Sequence, residues 1–72
     1  DEHSIIEVAP LKNWIGKTVG EIDIRKKHNI NIMALKKDGV LNASITATTI
    51  FSGEETLLVL GKFKDLKKCF DT

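Results

Sequence analysis

Two segments of consecutive apolar residues constrain the fold of this chain more than any other feature. Ile30–Lys37 and Glu55–Gly61 each contain four apolar residues in a row. This pattern is typical of a strand at the centre of a sheet, where both of its faces are covered. Asp38–Gly39 follows the first segment and is a type I′ hairpin signal, so the chain should return along Val40–Leu41. The two segments therefore predict the central strands of a mostly antiparallel sheet.

Local signals place the remaining elements around these strands. Thr18 is a suitable N-cap residue, and Glu21 three positions later completes the pattern of a capping box. Asp23 is expected to cap a second short turn that ends at His28. A strand is expected over Ser4–Val8, ended by Pro10, followed by a loop in which Trp14 and Ile15 fold back onto the core. A turn is expected at Gly53. The chain should close with an amphipathic helix over Lys62–Phe70, because four residues lie at helical spacing: Phe63, Leu66, Lys67 and Phe70. The order β-α-β-β-β-α predicts a small α+β domain.

The size of the chain predicts one domain that gains stability from a partner. A domain of 72 residues buries only about 60% of its unfolded surface, so its core is marginal when it stands alone. Small modules of this kind are commonly stabilised by a copy of themselves. Eleven Lys and Arg against ten Asp and Glu leave a net charge of +1, which gives no general attraction for nucleic acid or an acidic membrane surface.

Composition also argues against several kinds of chemistry. Cys69 is the one cysteine, which excludes an internal disulfide and a cysteine-rich zinc site. His28 has no second His, Cys or carboxylate at ligand spacing, so we expect no metal site. No apolar run approaches the roughly 18 residues that a membrane crossing needs. The sequence lacks a paired nucleophile and base and a paired-carboxylate motif, so an enzyme is the least favoured class. The absence of a GxGxxG motif places any dinucleotide-binding Rossmann fold outside this chain.

Three blocks of the sequence carry a resemblance to a known family. They are Trp14–Lys27, Ile30–Lys36 and Ser52–Gly61. Together they resemble the TrkA-C domain, the C-terminal half of the RCK (regulator of potassium conductance) module. The residues Asp23–Arg25 and Asn31 are most similar to KtrA-type cytoplasmic gating subunits of bacterial potassium uptake systems. The chain departs from the family pattern at Glu54, where Asp is usual, and at Ala47, where a proline often lies close to the ligand.

The resemblance implies an assembly and a function as well as a fold. TrkA-C domains are two-fold homodimers appended to a nucleotide-binding Rossmann domain (RCK_N). We therefore expect residues 1–72 to be a single regulatory domain, excised from a longer chain with that domain upstream. The full-length protein would form an octameric ring on a membrane potassium-translocating subunit, cytoplasmic and peripheral to the membrane. In relatives the dimer cleft binds cyclic di-AMP, which shuts down potassium uptake, so the resemblance implies this regulatory ligand and no enzymatic activity.

The residues implied for the ligand site match what half of a cyclic dinucleotide requires. An isologous dimer offers each group twice, so one chain need supply only half of the site. Arg25 can bind a phosphate through its planar guanidinium, and Asn31 can donate beside it through its amide or its backbone N–H. Asp23 can accept a hydrogen bond from a ribose hydroxyl or an adenine amine. The resemblance places around the ligand Val19, Asp23, Ile24, Arg25, Lys27, Ile30, Asn31, Ile32 and Ala47.

Two other functions stay open on the sequence. The domain could be a purely structural dimerisation module of the gating ring, whose apolar cleft is only an interface. It would then bind no nucleotide, and Arg25 would be a solvated residue near a helix end. The other alternative is single-stranded nucleic-acid binding through Arg25–His28 and Lys36–Lys37. The near-zero net charge and the lack of Tyr for base stacking weaken it.

Overall fold

The computed structural model describes residues 2–70, in which helices pack against one face of a four-stranded antiparallel sheet. The strands are β1 (His3–Val8), β2 (Asn31–Lys37), β3 (Val40–Asn42) and β4 (Thr56–Lys62), and they lie in the order β1-β4-β2-β3. A 3₁₀ turn spans Lys12–Trp14, and the helices are α1 (Val19–Ile22), α2 (Ile24–His28) and α3 (Phe63–Phe70). The predicted α+β class is therefore confirmed, as is each predicted strand and helix.

The centre of the sheet is β4, which pairs with β1 on one side and with β2 on the other. The predicted hairpin joins β2 to β3 through Asp38 and Gly39, whose φ angles of 52° and 77° are those of a type I′ turn. β3 is short, and it pairs with only the last three residues of β2, Leu35–Lys37. Among the strands of residues 2–70, the first half of β2 therefore pairs with β4 alone.

Trp14 anchors the core between the sheet and the helices, as predicted. It is 3% exposed, and its ring centroid lies 5.5 Å from that of Phe51 and 5.6 Å from that of Phe70. The prediction that Ile15 also folds into the core is wrong, because Ile15 is 47% exposed. Its side chain covers the turn at Gly53 instead, where a Cβ atom would lie 3.1 Å from Cδ1 of Ile15.

The second face of the sheet differs from the prediction. β2 and β4 were expected to be covered on both sides, but in β4 only Leu57, Val59 and Gly61 are buried, and the alternate residues are half-buried. The reason is that helix side chains pack against one face only. The buried stripe of α3 also begins one turn later than predicted. This helix packs through Leu66 and Phe70, and Phe63 is 56% exposed.

The two predicted helix starts have different outcomes. The capping box is confirmed, because the Thr18 N–H donates to Oε1 of Glu21 at 2.9 Å and the Glu21 N–H donates to Oγ1 of Thr18 at 3.1 Å. The Thr18 N–H and the Thr18 hydroxyl both donate to Oε1 of Glu21, and these two hydrogen bonds lower the pKa of that carboxyl. Asp23 does occupy the N-cap position of α2, but its side chain makes no capping hydrogen bond. The cause is its left-handed backbone (φ 53°), since side-chain caps need an extended N-cap residue.

Candidate functional site

An open groove lies between the α1–α2 pair, the start of β2 and the loop that follows β3. Its volume is about 490 Å³, which is in the range of small-molecule pockets. The groove is lined by Val19, Gly20, Asp23, Ile24, Arg25, Ile30, Asn31, Ile32, Met33, Ile45, Thr46 and Ala47. These residues combine apolar walls with one cation, one carboxylate and one carboxamide.

β2 contributes a strand edge to this groove. Asn31, Ile32 and Ala34 pair with β4 on one side, while β3 pairs only with Leu35–Lys37. No strand among residues 2–70 therefore covers the other edge of β2 over residues 31–34. The pairing with β4 shifts register at Met33, which has no partner in the ladder. Such bulges bend a strand and redirect side chains, often next to functional sites. Asn31 and Met33 are both exposed and line the groove.

Two left-handed residues set the direction of α2 and of its arginine. Asp23 (φ 53°) precedes this five-residue helix and Asn29 (φ 59°) follows it. Asn and Asp adopt this backbone more readily than other residues with a side chain. The Asn29 N–H closes the helix by donating to the Arg25 carbonyl at 3.0 Å, and Nδ2 of Asn29 donates to Oδ2 of Asp65 at 3.4 Å. α2 is thus short and bounded at both ends, with Arg25 exposed at the groove.

The loop after β3 forms the opposite wall and is fixed to α1 by main-chain hydrogen bonds. The Gly20 N–H donates to the Ala47 carbonyl at 2.9 Å, and the Val19 N–H donates to the Thr49 carbonyl at 2.8 Å. Gly20 permits this approach because a Cβ atom there would lie 3.0 Å from the Ala47 oxygen. The loop therefore uses N–H groups that the first turn of a helix leaves unpaired.

Arg25 and Asp23 give the groove its charges. Arg25 is exposed, and among residues 2–70 its side chain has no hydrogen-bond or ion-pair partner. Its guanidinium can therefore bind an anion bidentately without first breaking an internal salt bridge. Asp23 is half-buried and does not cap α2, so its carboxylate can accept hydrogen bonds from a ligand. The groove suits a ligand that carries an anionic group, hydrogen-bond donors and an apolar surface.

The described residues show no arrangement for metal or thiol chemistry. Within residues 2–70, no group of three or more His, Cys, Asp or Glu side chains is placed to hold a metal ion. Burial raises the pKa of the Cys69 thiol, which disfavours the reactive thiolate.

Among residues 2–70, no helix has the length and apolar character that crossing a membrane requires.

Eight of the nine residues implied for the ligand site line the groove, and Lys27 does not. Lys27 lies on a separate cavity of α2, together with Trp14 and His28. Ile24 and Ile30 reach the groove only as its floor, because they are 3% and 0% exposed and belong to the core.

Four further lining residues were not expected from the sequence: Gly20, Met33, Ile45 and Thr46. The sequence could have indicated Gly20, because a glycine inside a helix weakens the helix and often allows a close packing contact. It could also have indicated Ile45, which is an apolar residue in a loop of Thr, Ser and Ala. No sequence feature indicates the bulge at Met33, because the bulge depends on how β2 pairs with β4.

Comparison with known proteins gives relatives that fit this fold. The potassium uptake protein C of the Ktr system of Bacillus subtilis is 34% identical over 68 residues, which are 94% of this chain. The chain spans 31% of the length of that relative. A solved structure of the RCK C domain of the potassium transport protein KtrA, in complex with cyclic di-AMP, matches with a TM-score of 0.87 and 27% identity. The match covers 97% of this chain and 82% of that one.

A more distant structure shares the fold alone. The RCK_C domain dimer of Streptococcus agalactiae BusR, in complex with cyclic di-AMP, matches with a TM-score of 0.72 at 18% identity, over 96% of this chain and 95% of that one. The TrkA-C domain family matches residues 3–71, which is nearly the whole sequence and includes every element described above. Sequence and fold therefore agree that this chain belongs to the TrkA-C domain family.

Proposed function

We propose that this domain is the regulatory, ligand-binding part of a gating subunit for potassium uptake. It acts as a two-fold homodimer that binds cyclic di-AMP at the dimer interface, and binding inhibits uptake. The observation that carries the proposal is the groove, which gathers eight residues of a candidate cyclic di-AMP site on one surface. The similarity to KtrA, whose RCK C domain was solved with cyclic di-AMP, supports the same class of ligand.

In this proposal Arg25 is the main phosphate contact. Its unpartnered guanidinium lies at the groove, and Asn31 lies on the facing strand edge as a neutral donor. Hydrogen bonds from a guanidinium to a phosphate are short and strong because they are charge-assisted. Asp23 accepts from the ribose or from the adenine amine, a role for which its carboxylate is free.

The two-fold symmetry of cyclic di-AMP explains how so small a domain can bind it. A groove of about 490 Å³ on each chain provides for one nucleotide, and a second copy provides for the other. Val19, Ile32 and Ala47 form the apolar walls on either side of the base. Lys27 lies outside the groove of its own chain, and its contact with the ligand stays a prediction.

Regulation requires the ligand to prefer one arrangement of the two chains over another. In the full-length protein, an upstream Rossmann domain in an octameric ring would pass this preference to the membrane subunit that translocates potassium. The subunit would be cytoplasmic and peripheral to the membrane through that partner. TrkA-C domains are a regulatory family rather than an enzyme family, which agrees with a sensor that performs no chemistry.

A second candidate, a structural dimerisation module, is favoured by the uncovered face of the sheet. Ile5 on β1 is 59% exposed and Leu41 on β3 is 56% exposed. Exposed apolar surface on a small domain commonly marks a protein–protein contact. This candidate needs a dimer but no nucleotide, so ligand binding separates the two functions.

Isothermal titration of cyclic di-AMP into the domain tests the proposal, with AMP as a control ligand. We expect saturable binding at one ligand per two chains and no binding of AMP. Arg25→Ala should weaken binding at least about 100-fold, because the symmetric complex loses two charge-assisted hydrogen bonds, one from each chain and each worth about 1.5–3 kcal/mol.

Lys26→Ala is the matched control. Lys26 is an exposed cation on the same helix, and it does not line the groove. It should leave the dissociation constant within about twofold, since an exposed charge outside the contact contributes little. Equal losses of affinity in both variants would mean that Arg25 acts only through its positive charge and not through a specific phosphate contact. A flat titration of the wild-type dimer would exclude the sensor and leave the assembly module.

A further inference from the structure

Met33 differs from the other exposed apolar residues in its location. It is 45% exposed and lines the groove, opposite the wall formed by Ile45–Ala47. Among residues 2–70, the other large exposed apolar side chains lie off the groove: Ile5, Ile15, Val40, Leu41, Ile50 and Phe63. Among the described residues that line the groove, Met33 is thus the one large apolar side chain that is exposed, whereas Val19 and the four isoleucines are half-buried or buried.

The backbone explains why Met33 lies there. Ile32 pairs with Val59 and Ala34 pairs with Leu58, so Met33 is the extra residue of a bulge. A bulged residue is released from the alternation that fixes its neighbours to one face or the other. The edge of β2 at this point has β4 on one side and no strand on the other among the described residues. Met33 is exposed at this edge and lines the groove, as does Asn31 two positions earlier.

The chemistry of methionine suits contact with a flat base. Its unbranched side chain adapts to an irregular surface, and its polarisable sulfur makes favourable contacts with aromatic rings. Polar groups that could read hydrogen bonds lie beside it, on Asn31 and Thr46. A thioether among such groups supplies a contact that a β-branched side chain could not adjust to provide.

We propose that Met33 is a ligand-contacting specificity residue, whose side chain packs against an adenine base of the bound dinucleotide. This inference rests on the proposed function and extends it to a residue that the sequence did not suggest. Ile45 on the facing loop is half-buried and limits the space across the groove. The base is therefore held between a flexible thioether on the strand and an aliphatic side chain on the loop.

Labelling the methionine methyl group with ¹³C gives a direct test, because the sequence contains one methionine. Cyclic di-AMP should shift the Met33 methyl resonance upfield through the ring current of adenine. Intermolecular nuclear Overhauser effects should connect this methyl group to the adenine ring protons. Saturating ligand without either signal would overturn the proposal, even if the titration showed tight binding.

Two variants and a control supply the affinity test. Met33→Ala should weaken binding about tenfold, because it removes most of an apolar side chain that the base covers. Met33→Leu, which keeps the volume, should stay within about threefold. Val40→Ala truncates a side chain that is 68% exposed and off the groove, and it should bind like the wild type.

Dimer mass, measured by sedimentation without ligand, separates a base contact from an interface contact. We expect Met33→Ala to remain a dimer like the wild type. Loss of the dimer in this variant alone would overturn the proposal and assign Met33 to the interface. If the wild-type protein binds no cyclic di-AMP, the proposed function itself is contradicted. If the wild type binds and Met33→Ala binds with the same affinity, only the inference about Met33 is contradicted.

Discussion

The carboxylate of Glu55 holds together the turn that leads into β4. Glu55 is 6% exposed and accepts hydrogen bonds from the Ser52 N–H and the Gly53 N–H, each at 2.8 Å, and from the Ser52 hydroxyl at 3.1 Å. Burial raises the pKa of Glu55, but the hydrogen bonds more than offset this effect and the net pKa is lowered. The folded turn therefore favours the ionised form of this carboxylate.

Glu55→Gln should lower the free energy of unfolding by about 2 kcal/mol, because the amide turns an NH₂ group toward backbone donors. Urea denaturation at neutral pH measures this change. Glu54→Gln is the matched control, since Glu54 is exposed and its carboxylate forms a 3.0 Å surface pair with Lys37. The control should change stability little. Similar losses in the two variants would contradict the role given to Glu55.

The same carboxylate makes stability depend on pH. Because its pKa is lower in the folded state, the unfolded chain binds the proton first as the pH falls. The contribution of Glu55 is complete above the ordinary pKa of 4.5 and is lost as the pH falls through the folded-state value. As the pH falls below 4.5, wild-type stability should fall more steeply than that of Glu55→Gln. Parallel curves in urea denaturation would contradict this assignment.

Among the elements, those that local signals specify were predictable. The Thr18–Glu21 capping box and the Asp38–Gly39 hairpin depend on residues within four positions of each other, and both are present. The bulge at Met33 and the wall formed by the loop after β3 depend on partners far away in the sequence. The residues of the candidate site came from a family resemblance, and their grouping around one groove required the fold.

The contact between α1 and the loop wall predicts the effect of Gly20→Ala. Its backbone is not left-handed, so alanine adds some helix propensity, worth about 0.5–1 kcal/mol. The new Cβ atom would lie 3.0 Å from the Ala47 oxygen and 3.1 Å from the Ala47 Cβ, and such overpacking costs about 1–3 kcal/mol. A net loss of about 1 kcal/mol in urea denaturation is therefore expected, with weaker cyclic di-AMP binding as the wall shifts.

Ala47→Gly in the Gly20→Ala background is the control. It removes the Cβ contact but leaves the Ala47 carbonyl in place, so it should restore part of the binding. If Gly20→Ala bound the ligand as the wild type does, the loop would not set the width of the groove.

For the whole molecule, the uncovered face of the sheet links stability to association. A chain of 72 residues has a marginal core, and Ile5 and Leu41 add exposed apolar surface. If two chains fold and associate together, the thermal midpoint rises with protein concentration. We expect about 3–6 °C for each tenfold increase in concentration, measured by calorimetry. A constant midpoint with a monomer mass would contradict the dimer that the proposed function requires.

The left-handed residues at the two ends of α2 allow the exposed residues of this helix to vary without a change of the fold. Asp23 and Asn29 reverse the chain before and after Ile24–His28, so the backbone direction of α2 is set at its boundaries. Only Ile24 among its five residues is buried. The three residues that follow Ile24 are exposed, and they can diverge without disturbing the core. Related domains can therefore change the charge that faces a ligand by substituting the exposed residues of α2, while the rest of the fold stays the same.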